Sequence, residues 1–437
     1  MPALSPVRRR VASWLDRWGP VLPLFVAEFI VWLGFGALLP VLPLYFKANG
    51  VDLALLGLVI AAWPAARLIG EPIFGWLADR TARVPLMVIG LVVTAIALGL
   101  PLVLTSPLAF LVLRALAGFA TSLYDPAARG FLTDSTSPDR RGEAFGLYGA
   151  AQMSGLLVGP AIGAFGAGLF GGIGFVFVFG AITTLLGAAA VAFRVREDSQ
   201  AVRHHPPPAL DLTEFPAEPL HVPRERATAG LGGMAPTTLV NRWLLAAIVF
   251  NLGGYIAAGT YEVIWSLFLE SKGAGLDLIG LTFTMFALPV LLFSPFAGRL
   301  VDRRGGYGFI IVGGLATAIS SFLYTVVGDP VHVIPILLAE ATGFAIMNPA
   351  LYAMVAAGSP VGRSSTAQGL FGAAGTLGTI TASVAAGYLA ELDLRFPFWA
   401  GGSAMLVFLA LGLLIGGRLI RRRPTSAAAP LEAVRAG

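Results

Sequence analysis

Long apolar runs, broken only by short polar turns, recur along the chain at roughly 22–46, 54–77, 85–104, 107–127, 143–168, 172–193, 242–268, 276–299, 307–328, 332–354, 364–390 and 397–419. At 1.5 Å of rise per residue, about 20 apolar residues in a helix cross the hydrocarbon core of a bilayer. A lipid interior supplies no partners for backbone amides, so such runs must be helical rather than open strands. Twelve spans are expected, in an all-α membrane protein. Composition agrees: 57% of residues are hydrophobic and 12% charged, about half the usual charge of a soluble domain.

The first run begins near Val21, after Arg8-Arg9-Arg10 and an amphipathic stretch. Its length exceeds the roughly 7–15 residues of a signal-peptide core, so it is expected to stay as a transmembrane helix. The net charge of +5 lies between the runs and not on a basic face, which argues against nucleic acid as a partner. With the N-terminus in the cytoplasm, 24 of the 29 Lys and Arg residues fall in cytoplasmic segments. The outer loops hold only Lys47, Lys272 and Arg395, while Arg67 and Arg114 lie inside spans. This is the positive-inside bias, and one span more or fewer would scramble it. Both termini are therefore expected in the cytoplasm. With no cysteine in the chain, disulfides and thiolate chemistry are excluded.

The chain also repeats itself at an offset of 223: Gly57 pairs with Gly280, Pro72 with Pro295, Gly75 with Gly298, Asp79-Arg80 with Asp302-Arg303, Pro126 with Pro349 and Arg140 with Arg363. A constant register that includes a charged pair implies two parallel six-helix units. Pro206-Pro207-Pro208 and mixed charges mark the stretch between the units as a linker. The expected organisation is a cytoplasmic segment 1–21, a six-helix bundle 22–193, a cytoplasmic linker 194–241, a second bundle 242–420 and a cytoplasmic tail 421–437.

Two loops carry a shared motif. Gly75-Trp76-Leu77-Ala78-Asp79-Arg80-Thr81-Ala82-Arg83 follows the second run, and Gly298-Arg299-Leu300-Val301-Asp302-Arg303-Arg304-Gly305 follows the eighth. Both resemble the cytoplasmic signature loop of the major facilitator superfamily, G-x-L-x-D-R-x-G-R-K. The first copy departs from it at Ala82 and Val84, the second at Gly306 and Tyr307. A latch is the expected role: small residues at Gly75 and Gly298 let helices approach, while Asp79, Arg80, Arg83, Asp302 and Arg303 supply charge at the lipid boundary. In the fifth run Gly155, Gly159 and Gly163 line one helical face and Pro160 bends it. That segment resembles the glycine-proline signature of the superfamily's antiporter branch and favours export over uptake. Leu113-Arg114-Ala115-Leu116-Ala117-Gly118 resembles the arginine motif of proton-coupled drug exporters. A charge so deep should face a wet cavity or a carboxylate, or else form a structural ion pair.

Three acids stand alone within spans: Glu28, Glu262 and Glu340. The resemblance implies that the first, fourth, seventh and tenth helices line a central cavity. At 1.5 Å per residue Glu262 and Glu340 lie roughly 9 and 10 Å below the outer surface, while Glu28 lies toward the cytoplasm. A carboxyl group withdrawn from water can bind and release a proton as its access to water changes. Glu262 and Glu340 are the candidate proton carriers, with Glu28 sharing a proton or selecting cationic substrates. The bland alternative for each is a satisfied packing hydrogen bond. Arg67 and Glu71, one turn apart, are expected to pair within their helix, and Asp125 to lie at an inner gate or a helix end. Trp32, Asn251, Tyr255, Trp265 and Phe344 are candidate cavity residues, where aromatic faces would suit planar or cationic ligands.

The resemblance therefore implies a twelve-helix transporter of the major facilitator fold in a bacterial cytoplasmic membrane. It would act as a monomer on small molecules and protons, driven by the proton gradient without a cofactor or metal. Proton-coupled export of amphipathic or cationic compounds is the leading expectation. Export of metabolites, symport of sugars or organic acids, and a non-transporting sensor or scaffold are the alternatives. An enzyme is not expected, since the chain has no phosphate-binding loop and no Ser-His-Asp set outside the membrane.

Overall fold

The computed structural model describes residues 17–137, 140–196, 241–360 and 363–420. The N-terminal segment before residue 17, nearly all of the linker, the tail from 421 and the side chains of Pro295, Asp302, Ser364, Ser365 and 417–420 lie outside the described residues.

Every described element is helical: α1 (Leu22–Leu38), α2 (Leu42–Ala48), α3 (Leu53–Ala78), α4 (Arg83–Gly99), α5 (Pro107–Asp134), α6 (Arg141–Leu169), α7 (Gly174–Arg194), α8 (Arg242–Ser271), α9 (Leu276–Arg304), α10 (Tyr307–Val326), α11 (Val333–Gly358), α12 (Ser364–Leu392) and α13 (Phe396–Ile420), with short 3₁₀ turns at Leu100–Leu102 and Pro330–His332. Eleven of these are long and apolar enough to cross a membrane, and α1 with α2 makes a twelfth. Polar residues set several starts. Asp52 accepts from the Leu55 amide at 2.7 Å, Ser106 from Ala109 at 3.2 Å, and Asn241 from Trp243 at 3.0 Å and Leu244 at 3.1 Å; each side chain takes up an amide that the helix itself leaves unpaired. At the far end of α9 the chain turns through Gly305, whose φ of 84° suits a residue without a Cβ.

Two boundaries differ from the expectation. The first apolar run is not one straight helix, because it bends by 45° between α1 and α2. Pro40 falls in the break and Pro43 in the first turn of α2, and a proline removes an amide from the ladder. The fourth run extends well past residue 127, to Asp134. Asp125 is therefore neither at a helix end nor exposed: it is a buried interior residue of α5. Hydropathy falls there, but the charge finds a partner on α3, so the helix continues.

The repeat holds in three dimensions. Shifted by 223 residues, α3 starts where α9 starts, and α6 coincides at both ends with α12. In the first half α1 packs on α6 and α7, and α5 on α3 and α4; in the second half α8 packs on α12 and α13, and α11 on α9 and α10. Between the halves, α3 meets α12 and α6 meets α9. Those crossings are close. A Cβ on Gly57 would stand 3.1 Å from the Cα of Gly387, and one on Gly280 would stand 2.8 Å from the carbonyl of Pro160. The buried core follows the same division. At the end bearing the Lys47 and Lys272 loops one apolar cluster runs through both halves, from Leu38, Phe46 and Phe177 to Phe268, Tyr324 and Phe398. Toward the opposite end the core separates, with Trp18, Phe25, Tyr124 and Phe131 in one cluster and Phe250, Met347, Leu351 and Met405 in another.

Candidate functional site

The first polar centre forms inside the first half. Glu28 is the sole charged residue of α1, and its exposure is 0%. Trp32, one turn later on the same helical face, donates its indole N–H to Oε1 at 2.8 Å. Tyr124 of α5 donates to Oε2 at 2.6 Å, and the Gln152 amide of α6 donates to Oε1 at 2.8 Å. Tyr148 is buried beside the same carboxyl group. Three helices thus aim uncharged donors at one acid. Arg67 nearby is engaged elsewhere: it reaches Asp125 at 2.5 Å and also pairs with Glu71, as its spacing predicts. Its guanidinium lies over Trp63, 4.7 Å from the ring centre.

The second centre lies inside the second half. Glu340 of α11 accepts from Tyr261 of α8 at 2.9 Å and from Tyr324 of α10 at 2.7 Å. Ser321 stands 2.6 Å from the Tyr261 hydroxyl. Trp265 and Phe398 complete an aromatic shell around these phenols, with Trp265 and Tyr324 edge to face at 4.8 Å. Among the described residues no ion pair involves Glu28 or Glu340. Phenol, indole and amide donors neutralise neither acid, and a phenol can turn to accept when the carboxyl group carries a proton. Each cluster can therefore accommodate both protonation states.

Glu262 behaves differently. It follows Tyr261 in the chain and so shares the depth of Glu340, as expected. A step of one residue rotates a helix by about 100°, however, and Glu262 and Glu340 do not join a common cluster. Glu262 instead interacts electrostatically with Arg114 of α5, across the two halves. Arg114 is 6% exposed, and its Nε and Nη2 have no hydrogen-bond partner. It lines a cavity in the first half together with Trp32, Phe35, Trp63, Arg67 and Asp125.

The other candidate cavity residues divide. Tyr255 is 40% exposed. Phe344 is partly buried and packs on Phe286 at 5.9 Å. Asn251 is buried, donating to the Phe371 carbonyl of α12 at 2.9 Å, and Trp265 is buried, donating to Thr282 of α9 at 2.9 Å. These last two tie helices together.

In the first motif loop, Arg83 pairs with Asp134 at the end of α5, at 2.5 Å, and with Asp79 at 3.9 Å, while Asp79 itself is 73% exposed. Arg80 folds back, donating to the Trp76 carbonyl and lying 4.1 Å from that ring. Gly75 and Gly298 play matching parts: a Cβ on each would meet Pro126 at 3.8 Å and Pro349 at 4.0 Å respectively, which is ordinary contact. Arg303 is exposed, and the Asp302 side chain lies outside the described residues. In α6 the small residues pack tightly. A Cβ on Gly155 would stand 2.6 Å from the Phe29 carbonyl, one on Gly159 2.5 Å from that of Leu33, and one on Gly163 2.9 Å from the Cα of Ala37, while Pro160 lies against Gly36. This stripe seats α6 on α1 and so brings Gln152 to Glu28.

Tyr124, Gln152, Tyr261 and Tyr324 were not read from the sequence as ligands of the acids. Gln152 carries a usable signal, since it is an uncharged polar residue within an apolar run, seven before Gly159 on the α6 face that packs α1.

The sequence model of the Major Facilitator Superfamily matches residues 24–265 and 243–436. Over 390 residues the chain is 25% identical to multidrug resistance protein 2 of Bacillus subtilis, covering 88% of this chain and 92% of the relative. It is 28% identical over 430 residues to the class D tetracycline resistance protein of Salmonella ordonez, covering 94% and 99%. It is 22% identical over 407 residues to the quinolone resistance protein NorA of Staphylococcus aureus, covering 92% and 95%. Among solved structures, a bacterial homologue of the human lysosomal transporter Spinster, inward-facing and unoccupied, superposes with a TM-score of 0.72 at 17% identity, covering 93% of this chain and 98% of that one. The nucleoside transporter NupG superposes with a TM-score of 0.70 at 14% identity, covering 90% and 98%. At such identities the structural likeness concerns the fold alone.

Proposed function

The chain belongs to the major facilitator superfamily of membrane transporters, and on that premise we propose that it exports small amphipathic or cationic compounds in exchange for protons. The observation that carries the reading is the pair of buried acids, Glu28 and Glu340, each held by uncharged donors alone. An acid buried in a transmembrane bundle without a cation is costly to keep for packing, and a proton is the cargo it suits. Relatives named for multidrug, tetracycline and quinolone resistance support export of drug-like compounds.

In this reading residues 22–193 and 242–420 form two bundles joined by the 194–241 linker, with both termini in the cytoplasm of a bacterial cell. The protein works as a monomer, and the proton gradient replaces any cofactor. The core that is continuous at one end and divided at the other supports a state closed outward and open inward. Glu262 and Glu340 carry the coupling protons. Ionised Glu262 attracts Arg114 across the halves; a proton on Glu262 cancels that attraction, and the halves are then free to rock. Glu28 shares a proton or meets a cationic substrate through the Trp32 and Trp63 wall. Tyr255 and Phe344 face the substrate.

Purified protein in liposomes with an acidic interior tests the reading. Proton efflux should drive uptake of a fluorescent cationic dye. Indifference to the dye, with accumulation of a sugar or organic acid instead, would replace export with symport.

A further inference from the structure

Around Glu340 the oxygen atoms form a line, and counting their hydrogens gives that line a direction. Tyr261 Oη lies 2.9 Å from Glu340 Oε1, Ser321 Oγ lies 2.6 Å from Tyr261 Oη, and the Thr317 carbonyl lies 2.9 Å from Ser321 Oγ. Ser321 is 0% exposed, so its hydroxyl must find its partners within this line. On the other carboxyl oxygen, Tyr324 donates to Oε2 at 2.7 Å, and its hydroxyl has no second partner among the described residues. The helices α8, α9, α10 and α12 pack on α11. Among the described residues, the titratable groups they turn toward Glu340 are the phenols of Tyr261 and Tyr324.

Each hydroxyl owns one hydrogen. With Glu340 ionised, the three gaps of the line share two hydrogens. Tyr261 donates to the carboxylate, and Ser321 must then donate to Tyr261, because two oxygens 2.6 Å apart repel without a hydrogen between them. The gap to Thr317 stays empty without loss, since that carbonyl already accepts an amide within α10. With Glu340 protonated, three hydrogens fill three gaps. Glu340 donates to Tyr261, Tyr261 to Ser321 and Ser321 to Thr317, while Tyr324 still donates to Oε2. Both hydroxyls of the line reverse, and no hydrogen is stranded. A proton on Oε2 would instead turn to Tyr324 and leave that phenol's hydrogen without an acceptor.

We propose that Ser321 is a positioning residue for proton binding at Glu340: it is the acceptor that lets Tyr261 turn round when a proton arrives on Oε1. The role rests on the reading of Glu340 as a proton carrier. Without the Ser321 hydroxyl the ionised acid keeps both phenol donors. The protonated acid then strands one hydroxyl hydrogen, and a stranded buried donor is the costlier loss. Ser321 thus serves the protonated form, whereas Tyr261, as a donor to a carboxylate, serves the ionised one.

The full chain, purified in detergent, is followed by infrared difference spectroscopy as pH is varied, because a protonated carboxyl group has a C=O stretch that a carboxylate lacks. The band that Glu340→Gln removes belongs to Glu340. In Ser321→Ala the midpoint of that band should fall by about one pH unit, the equivalent of one stranded donor. In Tyr261→Phe it should move the other way. Opposite signs mark the relay, since general loosening around the acid would move both variants alike. If Ser321→Ala fails to fold, Tyr261→Phe still decides, and a midpoint that stays or falls there overturns the proposal. An unmoved midpoint in Ser321→Ala, or shifts of one sign, overturns it as well. Gradient-driven dye uptake by the wild type in liposomes separates this from the export reading. Opposite infrared shifts without coupled uptake would sink export and leave the relay standing, and coupled uptake with an unmoved Ser321→Ala band would remove Ser321 alone.

Discussion

Shifted by 223 residues, Glu28 falls on Asn251, Trp32 on Tyr255, Tyr148 on Phe371 and Gln152 on Gly375. In the first half this constellation gathers donors from α1, α5 and α6 onto a carboxyl group. In the second half the same backbone positions make a helix tie. Asn251 becomes the donor, to a backbone carbonyl, and Gly375 leaves room beside its amide. The second half holds its own buried acid elsewhere, at Glu340, whose counterpart in the first half is Ala117. Around Glu28 and around Glu340, phenol donors from neighbouring helices accompany the acid. The duplicated helix plan therefore sets where helices cross, while the proton chemistry follows the local set of donors.

The largest expected effect separates acid from tie. Glu340→Gln should abolish dye uptake driven by a pH gradient while leaving downhill dye exchange in place, since the amide keeps the shape and cannot carry the proton. Asn251→Ala should retain gradient-driven uptake. Loss of coupling in the asparagine variant, measured in the same liposomes, would erase the distinction between the two centres.

Stability sharpens the contrast. Glu28→Ala strands an indole, a phenol and an amide, and an unpaired buried donor costs about 1–3 kcal/mol, so a loss of several kcal/mol is expected in thermal unfolding of the purified protein. Asn251→Ala removes one hydrogen bond to a carbonyl that α12 itself still pairs and should cost only about 0.5–1.5 kcal/mol. Tyr324→Phe removes a single hydrogen bond to Glu340 and should cost about 0.6 kcal/mol, the average found between membrane helices. Equal losses for Glu28→Ala and Asn251→Ala would show that the two positions are structurally equivalent.

Helix seating offers a third comparison. On α6 the stripe reads Gly155, Gly159 and Gly163, while the matching positions on α12 are Gly378, Ala382 and Ala386. The second half makes its close approach from the opposite helix, where a Cβ on Gly259 of α8 would stand 2.7 Å from the Thr379 carbonyl. Gly159→Val must push against the backbone of Leu33 and Ala37 and should destabilise by about 1–3 kcal/mol. Ala382→Val has a methyl group's space already and should cost less in the same unfolding assay.

Much of this was legible in the chain. Apolar runs of membrane length, the offset of 223 and the charges between runs are one-dimensional signals, and most helix ends fell within a few residues of them. Pro40 inside the first run was visible, yet a hydropathy window averages over a proline. Asp125 looked like a helix end because polarity rises there, and only Arg67 on another helix shows why the helix continues. The depth of Glu262 followed from rise per residue. Its direction did not, because rotation about α8 is set by packing against α11, α12 and α13 together. Tyr124 and Tyr324 carried no mark of their roles, since a tyrosine in a span packs equally well against lipid.

The motif loops provide the smallest effect and the finest distinction. In the first loop Arg83 ties the end of α5 to Asp79; at its repeat position stands Gly306. Asp134 and Asp79 are more than half exposed, and an exposed pair is worth about 0.2–1 kcal/mol and is weakened by salt. Arg83→Gln should therefore lower the unfolding free energy by less than about 1 kcal/mol, and the deficit should shrink as salt rises. If the loop is a latch for one conformation, the same variant should change the rate of dye exchange by more than its stability loss would suggest, because a clamp on α3 and α5 biases the two states of the transporter unequally. Gly306→Arg in the second loop has no paired acid waiting among the described side chains and should leave exchange unchanged. Equal effects of the two substitutions would mean that the loops act through net positive charge at the membrane boundary, and not through the Arg83 clamp.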